Sequence, residues 1–196
     1  MTIIYNYRDI SIVREKAKFY ASELWDLNFN IPIIFNGRLK TTMGLFESDR
    51  NNKPVQIELA KHIFDEYHDE LIVDDTLLHE LCHWACLIIG KNNKDGSRDF
   101  EKELRRVGAN STRSSSRGGI YHYGNCKKCG RKIIEEINLT ILNRRLNTNC
   151  CISRCCHCQI IYGGTITKKV YYKPNKKLIE LNNKFKEYWL NRSILK

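Results

Sequence analysis

The stretch Leu77-Leu78-His79-Glu80-Leu81-Cys82-His83-Trp84-Ala85 constrains this chain more than any other. It sets H-E-x-x-H inside an apolar run. The run predicts a helix from about Thr76 to Ile89, capped by Asp75 or Thr76 and stopped by Gly90. In a helix His79 and His83 stand one turn apart, roughly 6 Å along the axis. Residues four apart share a face, so both imidazoles can bind one Zn²⁺. Glu80 is too close to serve comfortably as a third ligand, but it reaches a water activated by the ion. A carboxylate there can take the proton of that water and pass it to a leaving amine. The chemistry implied is hydrolysis of a peptide bond.

The rest of the chain must support that helix. At 196 residues it is one medium domain, or one domain with a small module. No apolar run approaches ~18 residues, so neither a transmembrane helix nor a membrane partner is expected. The first residues lack a basic region followed by a long apolar one, so no secretory signal is expected and the location implied is cytoplasmic.

A helix is expected from Asp9 to Leu27, where Ile10, Val13, Ala17, Tyr20, Ala21 and Leu24 recur at spacings of three and four. Asp9 or Ser11 can cap it. Three strands are expected next, at Ile31–Phe35, Arg38–Phe46 and Pro54–Leu59. Asn36-Gly37, a strong hairpin signal, joins the first two, which implies an antiparallel sheet. Ile63–Tyr67 reads as a short helix or turn, and Ser97–Val107 as a helix. Ser111 to Gly119 is rich in Ser, Arg and Gly and reads as a linker. Val170–Tyr172 is a further strand candidate. Lys176–Trp189 reads as a basic amphipathic helix, with Leu178, Leu181, Phe185 and Trp189 along one side.

Charge divides the chain. Residues 1–110 carry 15 Lys+Arg against 18 Asp+Glu, whereas residues 111–196 carry 18 against 4. Such asymmetry suggests that the C-terminal half meets a polyanion, nucleic acid above all. Cysteine divides it too: seven of nine lie between Cys126 and Cys158. Clustered cysteines in a reducing compartment argue for a metal. Cys126-x-x-Cys129 and Cys155-x-x-Cys158 together make a tetrahedral Cys₄ zinc site of ribbon type, with a long hairpin through Ile133 to Leu146 between the pairs. Cys150, Cys151 and Cys156 leave that assignment open: Cys151 or Cys156 can replace Cys155, and His157 is a further candidate. Such a small module would depend on its metal to fold. Cys82 and Cys86, on the main helix, are expected to be core residues.

Together these residues resemble the SprT-like metalloprotease family, whose eukaryotic member Spartan is a DNA-dependent protease. Phe35-Asn36-Gly37-Arg38-Leu39 followed by Gly44 is similar to the family's segment before the catalytic helix. His79 to Trp84 is similar to its zinc helix, and Asp99-Phe100-Glu101 with Leu104 to its next helix. The two C-x-x-C pairs followed by Gly163-Gly164 look like the ribbon of its bacterial members. The family usually supplies a third His ligand shortly before that Phe. This chain has no His between His83 and His122. The resemblance therefore implies that Asp95, in the corresponding loop, is the third ligand, with Asp99 as second choice; a carboxylate is an acceptable zinc ligand.

The resulting expectation is an α+β fold: a small antiparallel sheet beside helices, one of them the zinc helix, plus a C-terminal zinc ribbon. The protease domain is expected at 1–110, the linker at 111–123, the ribbon at 124–166 and a basic tail at 167–196. The activity expected is that of a zinc metallopeptidase with one catalytic and one structural zinc. Its substrates would be proteins held near nucleic acid. The alternative is a non-catalytic nucleic-acid-binding ribbon protein on a degenerate protease scaffold, which the missing third His favours.

Overall fold

The computed structural model describes residues 6–110, 118–148, 152–169 and 172–194. Those residues form five α-helices and two three-stranded sheets, an α+β architecture. The chain divides into two compact units, Met1–Ser115 with Tyr171–Lys196, and Ser116–Val170.

In the first unit, helix α1 (Ile10–Trp25) starts at Asp9, whose carboxylate accepts the Ser11 N–H at 2.8 Å. Ile12, Val13, Ala17, Tyr20 and Ala21 are buried along one face. Lys16 shares that face and is also buried. Its Nζ lies 2.6 Å from Asp74, 3.2 Å from Glu70 and 3.1 Å from the Asn182 side-chain oxygen. A charge enclosed this way is tolerable only with such partners.

The first sheet contains β1 (Ile33–Asn36), β2 (Gly44–Ser48) and β3 (Pro54–Ala60), in the order β1-β3-β2. The antiparallel expectation is corrected here. β3 runs between the other two, parallel to β1 and antiparallel to β2. Asn36-Gly37 therefore closes no hairpin between paired neighbours. Asn36 instead accepts the Arg38 N–H at 2.7 Å, an Asx turn, and donates to Glu58 on β3 at 2.5 Å. The second strand begins at Gly44, not Arg38.

Helix α2 (Glu70–Ile88) begins a turn and a half before the expected Thr76. Its N-cap is Asp69, which accepts the Ile72 N–H at 3.1 Å. Asp74 and Asp75 lie within the helix: Asp74 faces Lys16, and neither it nor Asp75 caps. Helix α3 (Arg98–Val107) starts on Ser97, whose hydroxyl accepts the Phe100 N–H at 3.3 Å, and closes on Gly108 at φ 88°. Helix α5 (Lys176–Ile194) belongs to this unit. Leu178, Leu181 and Phe185 enter the same core as Tyr20, Leu77, Leu81 and Trp84. The expected basic tail is therefore a core helix.

The second unit holds β4 (Gly119–Cys126), β5 (Lys132–Glu136) and β6 (Ile160–Lys168), all antiparallel in the order β5-β4-β6. The expected hairpin through Ile133–Leu146 is corrected: after β5 the chain forms helix α4 (Leu139–Leu146), capped by Asn138. Leu142 is fully buried. A Cβ at Gly124 would lie 2.8 Å from Ile160, 2.9 Å from Ile134 and 3.1 Å from Leu146, so α4 packs closely over the glycine. Residues 111–117 of the linker, Cys150, Cys151 and the Val170–Tyr171 strand candidate lie outside the described residues. Among the described residues no helix is long and apolar enough to cross a membrane.

Candidate metal centres

The first centre is built on α2. His79 Nε2 and His83 Nε2 converge to 3.2 Å, as the shared helix face allows. The His83 Nδ1 lies 2.5 Å from the Asn93 carbonyl oxygen. Only Nδ1–H can donate there, which leaves the Nε2 lone pair directed at the cluster. Burial holds His83 below the ordinary histidine range, which favours the neutral imidazole a metal needs. Asp95 completes the group, with Oδ1 3.3 Å from His79 Nε2 and 3.4 Å from His83 Nε2. Its loop is held by Ser97, whose hydroxyl donates to the Asn92 carbonyl at 3.1 Å and whose N–H donates to that of Lys94 at 3.0 Å. The ligand atoms of His79, His83 and Asp95 all lie within 4.8 Å of one another, a set that could hold a metal ion. Asp99, the second choice, is not in that group.

Packing fixes the rings. Phe100, fully buried, stacks on His83 at 4.1 Å between centroids and meets His79 edge-on at 5.2 Å. Phe46 on β2 lies parallel to the His83 ring at 6.4 Å. Glu80 is only 5% exposed. Burial, with the Asp95 charge adding to it, pushes its carboxyl up to about 8, and the Phe46 backbone N–H opposes the rise. Gly44 makes room for it. A Cβ at that position would come within 2.5 Å of Glu80 Oε1. A cleft of about 930 Å³ opens over these groups, bounded by Met43 to Phe46, Thr76 and Tyr172.

Asp75, Asn93, Asn110 and Tyr172 also line the cleft and were not expected at the site. Asp75 accepts the Asn110 backbone N–H at 2.9 Å and the Tyr172 hydroxyl, while Asn110 Nδ2 donates to Tyr172 at 2.8 Å. Asp75 is four residues before His79, so the D-x-x-x-H-x-x-x-H spacing was a readable signal for it. Asn110, Tyr172 and the Asn93 carbonyl carried none.

The second centre lies between the β4–β5 turn and the turn before β6. The Sγ atoms of Cys126, Cys129, Cys155 and Cys156 lie within 4.8 Å of one another, and this set could also hold a metal. Cys158 Sγ lies 3.2 Å from Cys126 Sγ, and Cys129 Sγ 3.4 Å from Cys155 Sγ. The expected set of Cys126, Cys129, Cys155 and Cys158 thus differs from the mutually close set at its fourth member. The Ser153 hydroxyl, then the Cys129 N–H, the Cys158 thiol and the Lys128 N–H, hold the Cys126 thiol down to about 5, which favours the thiolate that binds metal. Cys82 and Cys86 behave as core residues: both are buried, and burial raises both thiols.

Comparison with known proteins fits this arrangement. The SprT-like family profile matches residues 13–122. A Protein SprT-like of Staphylococcus aureus (strain MRSA252) is 30% identical over 151 residues, covering 75% of this chain and 90% of the relative. Another, from strain JH9, is 34% identical over 142 residues, covering 70% of this chain and 84% of the relative. No solved structure matches. From α1 through α2 to β4, then, this chain belongs to the SprT-like family.

Proposed function

We propose that the chain is a zinc metallopeptidase whose protein substrates are held near nucleic acid. One observation carries the reading: His79, His83 and Asp95 converge within a few ångströms while Glu80 is buried beside them on the wall of an open cleft. Imidazole and carboxylate ligands in this number suit Zn²⁺ and leave a coordination position open. Held by these three side chains, zinc would supply Lewis acidity to polarise a scissile carbonyl and to make a water nucleophilic near neutral pH.

The protein residues do the rest. Glu80 accepts a proton from the attacking water and returns it to the departing amine. An adjacent cation favours the ionised, basic form of its carboxyl. Phe100 and the Asn93 carbonyl hold the imidazoles in place. Strand β2 is at the edge of its sheet and lines the cleft. An extended peptide can pair with such an edge and lie across the site. The scaffold alternative is disfavoured by Glu80 itself. Lys16 and Asp74 offset their burial by pairing, whereas Glu80 has no ion pair among the described residues, a cost that a chemical role would explain.

The nucleic-acid partner is supported by the second unit. Residues 118–169 carry 9 Lys+Arg against 2 Asp+Glu. Strand β6 is exposed along most of its length, and Lys168 Nζ lies 4.4 Å from the centre of the Tyr121 ring. Tyr121 is half-buried and Lys168 is also paired with Glu135, so the support for a phosphate-binding surface is the net positive charge of this unit.

Elemental analysis tests the metal reading. Two zinc ions per chain are expected. His83→Ala and Asp95→Ala should each remove the same ion, and Cys129→Ser the other. A single zinc that survives His83→Ala would remove the catalytic proposal.

A further inference from the structure

Among the described residues, five thiols of the second unit lie in or against one cluster, one more than a tetrahedral ion accepts. Cys126, Cys129 and Cys155 belong both to the expected set and to the mutually close one. Cys156 is within 4.8 Å of all three, and Cys158 lies 3.2 Å from Cys126. The two contenders flank His157, which turns the chain with φ 48°. Ser153, fully buried, holds this turn in place. Its hydroxyl donates to Cys126 Sγ at 3.3 Å and accepts the Cys158 N–H at 3.3 Å. Its N–H donates to the Cys158 carbonyl at 2.9 Å, and its carbonyl accepts the His157 N–H at 2.9 Å. The backbone of the turn is thus anchored, with the Cys156 sulfur within 4.8 Å of the whole trio and the Cys158 sulfur against that of Cys126. With the backbone held by these bonds, passing the fourth place from one to the other falls to the side chains.

We propose that this cluster is a metal site with two interchangeable fourth ligands, Cys156 and Cys158, on a fixed trio of Cys126, Cys129 and Cys155. The proposal rests on the zinc reading of the cluster. Its consequence is a resident replacement: alkylation or oxidation of either contender leaves the ion with four thiolates.

Co²⁺ bound to the full-length chain provides the test. Sulfur-to-cobalt charge transfer in the near ultraviolet grows with each thiolate, and the His79–His83–Asp95 centre contains no sulfur. Cys156→Ser and Cys158→Ser should each keep the wild-type band. The double variant should fall to three-thiolate intensity or lose the band, and Cys126→Ser should be weakened alone. A band reduced in one contender variant but intact in the other means a fixed ligand and overturns the proposal. Reduction in both single variants, or none in the double variant, overturns it as well. A wild-type chain without the band removes the metal reading of the cluster, and the exchange with it.

Discussion

Glu80 carries a cost in stability that its proposed role would explain. Its carboxyl titrates near 8 in the folded chain without metal, against 4.5 for the free group. Between those values the folded state holds a proton that the unfolded state has released. Stability must therefore fall as pH rises through that window, by about 1.4 kcal/mol for each unit of separation. The metal-free Glu80→Gln protein escapes this loss. Thermal melting of the metal-free pair should show the variant more stable above pH 8, with the gap closing towards pH 4.5. An equal gap at both ends would mean that Glu80 is not buried as described. His79, Glu80 and His83 were readable from spacing alone, because a helix imposes the geometry. Asp95 was readable only through resemblance, because a loop residue has no periodicity to place it. The Asn93 carbonyl could not be read at all: any residue type offers the same backbone oxygen.

Among the elements, α5 departs furthest from what its composition suggests. Counted by charge it is a basic tail. In the fold its apolar side enters the core of the first unit, and several of its cations meet acidic partners there. Lys186 Nζ lies 2.8 Å from Glu70, Arg192 3.1 Å from Glu15 and Lys184 3.7 Å from Glu23. Ending the chain before Lys176 would expose the surfaces covered by Leu178, Leu181 and Phe185, each worth about 1.5–3 kcal/mol. That sum rivals the whole stability of a typical domain, about 5–15 kcal/mol. The truncated chain should melt far lower or fail to accumulate in soluble form; an unchanged melting temperature would contradict the core assignment. The amphipathic pattern of α5 was legible, but its partner was not, since periodicity shows that a face is buried without saying against what. The sheet illustrates the same limit. Asn-Gly signals a turn, yet the pairing order depends on where β3 inserts, a long-range choice that no local signal carries.

At the scale of the whole molecule, the charge asymmetry takes on a different meaning. Part of the basic excess balances the acidic first unit through α5. The rest of the excess is concentrated in the second unit, the proposed nucleic-acid surface, where Lys127, Lys128 and Arg131 are exposed beside the cysteine cluster. Replacing these three by Ser should weaken nucleic-acid binding and flatten its dependence on log salt by roughly 2–3 units, at about 0.7–0.9 for each phosphate no longer neutralised. Zinc content should not change. Binding titrations over a salt series check this, and an unchanged slope would place the binding surface elsewhere.

The central claim is that Glu80 performs chemistry beside a zinc ion, and one comparison tests it most directly. Wild type and Glu80→Gln are assayed side by side for zinc content and for cleavage of a protein substrate, with and without nucleic acid. Gln keeps the size and hydrogen-bonding capacity of the side chain while removing the basic oxygen. The account predicts equal zinc in both proteins and cleavage reduced by about 10²–10⁴-fold in the variant, the usual worth of general acid–base catalysis. Equal cleavage by both, or a fully zinc-loaded wild type that cleaves nothing under either condition, would contradict it.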